Sequence, residues 1–150
     1  MFTGIYQHAI DAKGRTSLPS KFRELLSAEG AEKLHVTMHP TDPCLMAFSP
    51  AAWEASVLAK LRGASMFDPA VTAFQRMFVS PAQECSVDKL GRVLIPPSLR
   101  EFAGLGEEIT WSGAVNRIEI WAPARWAEEQ KRVRAPEMQP ELMKRLPTIL

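Results

Sequence analysis

Two short stretches constrain this chain more than anything else in it. They are Asp11-Ala12-Lys13-Gly14-Arg15 and Asp88-Lys89-Leu90-Gly91-Arg92, each followed four residues after its arginine by a proline, Pro19 or Pro96. Displaced by 77 positions, the sequence matches itself at Asp11/Asp88, Gly14/Gly91, Arg15/Arg92, Pro19/Pro96, Arg23/Arg100 and Glu24/Glu101. Self-similarity at a fixed displacement marks an internal duplication. At 150 residues the chain has the size of one domain, and half of it alone would bury too little apolar surface to be stable. Two half-domains sharing one core are therefore expected.

The local pattern reads the same way in both halves. Residues 5–10 and 15–18 have the composition of short strands, and Asp11 to Gly14 supply the turn chemistry of a β-hairpin. Pro19 suits the first turn of a helix carrying Phe22, Leu25 and Leu26 on one face. Strands are expected over residues 33–38 and 44–48. A helix from Ser49-Pro50 to about Arg62 follows, with Trp53, Val57 and Leu61 as its buried stripe. Asp68-Pro69 caps a short linker helix within 63–76. The plan then repeats: strands at 78–87 and 93–95, a helix from Pro96 or Pro97 to about Gly104, strands at 109–111 and 117–121, and a last helix from Ala122-Pro123. Trp126 takes the place of Trp53 at a displacement of 73, so the first copy carries a longer connection. This divides the chain into a first repeat (1–76, with linker helix 63–76), a second repeat (77–134) and a flexible or interface-forming tail (135–150) whose prolines leave too little periodicity for a helix.

Bulk properties remove several function classes. Eighteen basic residues balance seventeen acidic ones, so a nucleic-acid role requires local patches and not overall charge. Cys44 and Cys85 are isolated, and no secretory signal precedes Met1, which leads us to expect free thiols in a reducing, cytoplasmic setting. No apolar run reaches membrane-spanning length. His35 and His39 are four apart, but on a strand that separation is about 13 Å, too far to share one ion. No metal site or cofactor is expected. The absence of a nucleophile-base pattern, a phosphate-cradling glycine loop or paired carboxylates speaks against an enzyme. Trp53, Trp121 and Trp126 are expected as core anchors and not as a platform for stacking bases.

Met1-Phe2-Thr3-Gly4, the paired Asp-x-x-Gly-Arg motifs with their trailing prolines, and Asn116-Arg117-Ile118-Glu119-Ile120-Trp121 together resemble the MraZ family of bacterial regulators. The resemblance covers the chain to about residue 134. It implies an α+β, mainly β fold, in which two AbrB-like swapped-hairpin repeats interlock into one small β-barrel with flanking helices. It also implies a ring-shaped homo-oligomer, cytoplasmic and nucleoid-associated. That ring would bind repeated boxes of double-stranded promoter DNA and repress the division and cell-wall gene cluster. Relatives tend to have Ser-Gly where this chain has Ser80-Pro81. A proline cannot donate a ladder hydrogen bond, which leaves the register before Glu84 open.

Turn chemistry alone accounts for Asp11, Gly14, Asp88 and Gly91, which are read as structural. The basic residues carry the functional expectation. Residues 11–24 hold Lys13, Arg15, Lys21 and Arg23 against Asp11 and Glu24, and residues 88–101 hold Lys89, Arg92 and Arg100 against Asp88 and Glu101. The first copy is the better site for an anion. A guanidinium can bond phosphate or guanine through two donors, whereas lysine offers a point charge. Arg15 with Lys13, supported by Lys21 and Arg23, is the expected DNA contact. Lys89, Arg92 and Arg100 could face DNA or a neighbouring subunit. A ring would add such modest patches together, because linked sites gain apparent affinity without new contacts. The competing reading is a scaffolding or interaction protein on the same fold.

Overall fold

The computed structural model describes all 150 residues, Met1–Leu150. Eight strands and six helices follow in order: β1 (Ile5–Ala9), β2 (Arg15–Ser17), α1 (Ser20–Ala28), β3 (Lys33–Met38), β4 (Leu45–Phe48), α2 (residues 50–62), α3 (residues 69–79), β5 (Gln83–Ser86), β6 (Arg92–Leu94), α4 (Pro97–Ala103), β7 (Glu108–Gly113), β8 (Ile118–Trp121), α5 (Pro123–Arg134) and α6 (Gln139–Ile149). The α+β expectation is met, with antiparallel pairing throughout.

Six strands form one sheet in the order β1-β7-β8-β4-β3-β5, and β2 pairs with β6 in a separate ribbon. Exchanging the halves (β1 with β5, β2 with β6, β3 with β7, β4 with β8) turns this order into itself. The register obeys the same exchange: Leu45 faces Ile120 and Ala47 faces Ile118, while Arg15 faces Leu94 and Ser17 faces Arg92. Aromatic packing does too. Phe48 lies 5.4 Å from Trp53 at 59°, and Trp121 lies 5.7 Å from Trp126 at 60°. Except for the hairpins β3–β4 and β7–β8, every strand pairing joins one half to the other.

Three expectations need correction. The first motif does not close a hairpin between its own strands. β1 and β2 meet at the single bridge Ile10–Thr16, and β5 and β6 at Val87–Val93. Each strand finds its ladder in the other half because that places Ile10, Leu18, Val93 and Ile95 in one core with Phe22 and Leu99. Nor do the strands close into a barrel, since β1 and β5 are sheet edges that do not pair with each other. The strand read over 78–87 shrinks to β5, because α3 runs on through Val79 and carries Phe78 into a second cluster with Phe48, Trp53 and Val57. Pro81 lies between α3 and β5, outside the ladder, so its missing donor costs nothing.

The tail differs from expectation as well. It holds the helix α6, with Pro140 in its first turn and Pro147 inside it. Leu142, Met143, Leu146 and Ile149 recur at helical spacing, which gives the segment one apolar stripe. None of its residues is buried. No helix of the chain is long and apolar enough to cross a membrane. Cys44 and Cys85 are buried free thiols, as expected. Burial pushes the Cys85 thiol up to about 11 and raises Cys44 further, so both remain protonated and unreactive.

Candidate nucleic-acid interface

Each Asp-x-x-Gly-Arg motif folds on its aspartate. Asp11 Oδ1 accepts the backbone N–H groups of Lys13 and Arg15, both at 2.9 Å, and Oδ2 accepts Arg15 Nε at 2.8 Å. Asp88 does the same with Leu90, Arg92 and Arg92 Nε, all at 2.9 Å. The Asp11 carboxyl is held below its ordinary value, first by the Arg15 N–H and then by the Arg15 guanidinium; Asp88 is lowered by the same groups of Arg92. The aspartate thus closes the turn and aims its arginine. In both copies the guanidinium is tied only through Nε, and its two terminal nitrogens make no hydrogen bond within the chain.

The glycines complete the turns by letting the other half approach. Gly14 has φ +92°, and a Cβ there would stand 2.6 Å from the Ile95 carbonyl oxygen and 2.6 Å from Arg100 Nε. Gly91 has φ +78°, and a Cβ there would meet Arg23 Nη1 at 2.8 Å. Only glycine tolerates both the backbone conformation and the contact. Arg100 Nε donates to the Ile95 carbonyl at 2.9 Å, and Arg23 Nη2 donates to the Lys89 carbonyl at 3.0 Å. These half-buried arginines therefore cross over the turns, Arg23 bonding the opposite half while Arg100 lies on the opposite half's glycine. That clamp is absent from the sequence reading, although the matched Arg23 and Arg100 were its visible signal.

The β2–β6 ribbon then brings the two motifs together. Thr16 and Val93 are buried beneath it, while Arg15, Ser17, Arg92 and Leu94 alternate onto its outer face. Arg15 is directly opposite Leu94, so Arg92 is its diagonal neighbour across the ribbon, roughly 7–8 Å away between backbones. Exposure of the two ion pairs matches closely: 42% and 43% for Arg15 and Asp11, 41% and 43% for Arg92 and Asp88. Lys13 and Lys89 are exposed in the adjoining turns, and Lys21 is exposed on the first turn of α1. Because Asp11 and Asp88 offset their arginines, the lysines supply the net positive charge, and the arginines supply oriented donors. Beneath the ribbon, His8 Nδ1 donates to the Ser17 carbonyl at 2.6 Å and Thr16 Oγ1 to the Ala9 carbonyl at 2.8 Å, which fix β2 against β1. Neither residue was singled out from sequence, since both contacts depend on how the strands cross. Arg15 and Arg92 thus occupy one face of the ribbon.

Comparison with known proteins agrees with this architecture. The family profile described as "MraZ protein, putative antitoxin-like" matches twice, over residues 1–77 and 78–143. This chain belongs to the MraZ family. It is 46% identical over 125 residues to a protein of Symbiobacterium thermophilum named Transcriptional regulator MraZ, covering 83% of this chain and 86% of that one. A protein of the same name from Acetivibrio thermocellus is 46% identical over 126 residues, covering 84% of each. Another from Geobacter metallireducens is 42% identical over 147 residues, covering 92% of this chain and 90% of the relative. The double match to the MraZ profile and the exchange symmetry of the strands are independent signs of one duplication.

Proposed function

We propose that this MraZ-family protein is a sequence-specific transcriptional regulator that binds double-stranded DNA through the outer face of the β2–β6 ribbon. The observation that carries this reading is the pairing of Arg15 and Arg92 on that face, each held by its aspartate with two nitrogens free. A two-stranded ribbon fits the major groove, where paired donors on an arginine match the O6 and N7 acceptors of guanine. Lys13, Lys89 and Lys21 contribute phosphate contacts that position the ribbon without reading sequence. Arg23 and Arg100 hold the two turns in place and act on binding through them. The protein acts by binding and not by catalysis.

The regulator represses the division and cell-wall gene cluster from the nucleoid. It assembles as AbrB-like repeats into a ring that spans repeated promoter boxes. One ribbon with a chain charge of only +1 binds weakly, and multivalent engagement multiplies that affinity by roughly 10² to 10⁴. The test is retention of the purified protein on its own upstream DNA in a gel shift with excess unrelated DNA. Retention that survives the competitor supports the reading, and loss at equal competitor mass overturns it. A second reading, a protein-docking scaffold, draws on Leu90 and Leu94, which are 71% and 52% exposed beside the arginines. The scaffold predicts no DNA retention at any competitor level.

A further inference from the structure

Each half ends in a helix, α3 in the first and α6 in the second, but only α3 carries a buried residue, Phe78, into a core cluster. Helix α3 lies between the copies, and where it packs beside α2 it opens a cleft that the second half does not repeat. The cleft has a volume of about 340 Å³, which is within the range of small-molecule sites. Its apolar wall is aromatic. Phe74 and Phe78 stack at 4.9 Å, and Phe48 meets Phe78 edge-on at 6.2 Å. Both helices depart from α geometry here: Glu54–Leu58 and Gln75–Val79 are π-helical turns, and each contributes lining residues. Such wide turns recur at functional sites.

The charged residues that line the cleft are both basic. Lys60 and Arg117 line it, and no aspartate or glutamate does. Lys60 makes no ion pair or side-chain hydrogen bond within the chain, in contrast to Arg62 two residues on, which pairs with Glu54. Arg117 gives Nε and Nη2 to Glu119 and keeps Nη1 free. Asn116 donates to Ser56 Oγ at 3.2 Å, which leaves its carbonyl oxygen free. An aromatic wall with one unpaired ammonium, that of Lys60, is complementary to a molecule with an apolar body and one carboxylate.

We infer that this cleft binds a small amphipathic carboxylate of about the size of octanoate, its chain against Phe74 and Phe78 and its carboxylate at Lys60. The site is separate from the ribbon, so it stands whether or not the DNA reading does. The test is titration calorimetry of the full chain with octanoate and, separately, with 1-octanol. Tryptophan emission is followed in parallel, because Trp53 stacks on Phe78 at 5.7 Å.

Octanoate is expected to saturate one site per chain with Kd below ~1 mM, and 1-octanol to bind at least about fivefold more weakly. Lys60→Gln, an exposed change that leaves the fold intact, removes that preference while octanol binding stays unchanged. Phe74→Ala weakens both probes. Equal binding of acid and alcohol, indifference to Lys60→Gln, or no saturable binding would overturn the inference. So would binding at less than one site per chain coupled to a fall in oligomer mass, which would assign the cleft to a contact between copies.

Discussion

At the residue scale, the two glycines of the motif provide an internal comparison. Both occupy left-handed backbone conformations, which cost a side-chain-bearing residue about 1–3 kcal/mol. At Gly14 an added methyl would also strike the Ile95 backbone, whereas at Gly91 it would meet only the Arg23 side chain. Gly14→Ala is therefore expected to cost on the order of 3 kcal/mol and Gly91→Ala about 1–2 kcal/mol, measured by urea unfolding. Equal losses would show that the Ile95 contact yields easily. His35 gives a pH prediction. It stacks face to face on Trp53 at 5.4 Å and 6°, and burial lowers its pKa from 6.5. The unfolded chain takes up this proton first, so stability falls as pH drops below about 6.5 and levels off beneath the folded value. His35→Gln should flatten that limb of the stability curve. The lowered carboxyls of Asp11, Glu84 and Asp88 act in a lower window. Their stabilising effect is complete above the unfolded carboxylate range and is lost as pH falls through the depressed folded values.

At the element scale, what was legible in the sequence was local. Asp11 to Gly14 announced a turn because a carboxylate accepting backbone N–H groups and a glycine at positive φ act within five residues. The stripe Trp53, Val57 and Leu61 announced α2 for the same reason. The partner of each strand was hidden, because pairing β2 with β6 depends on residues more than seventy positions away. The arginines Arg23 and Arg100 were visible as a repeat, but their use as clamps follows from that crossing. Phe78-Val79 has strand-like composition, yet tertiary burial of Phe78 draws it into α3. In the tail, the prolines obscured the helical spacing of α6. No residue of that helix is fully buried, so removing residues 139–150 should shift the melting midpoint by no more than a few degrees. A larger fall would mean that α6 packs against something in solution, and sedimentation of the shortened protein would identify loss of a second copy.

At the scale of the whole molecule, the strands of the two halves interleave so thoroughly that either half alone would keep only one hairpin, β3–β4 or β7–β8. Residues 1–77 and 78–150 expressed separately should each lack cooperative unfolding, and mixing them should restore it. Independent folding of either half would contradict an interlocked duplication. Interleaving also explains why one ribbon carries both motifs: the exchange that buries Val93 beside Ile10 sets Arg92 beside Arg15. As proposed, these two arginines act together on one DNA surface, and the loss of promoter affinity when each is removed tests that pairing. Promoter DNA affinity is measured across a salt series for the wild type, Arg15→Ala, Arg92→Ala and the double variant, with fold and oligomer mass checked. Each single change should weaken promoter binding by about 1–3 kcal/mol per engaged subunit while leaving the slope of log K against log salt near that of the wild type, and the double change should weaken it further. An Arg92→Ala protein with wild-type affinity would contradict the shared face.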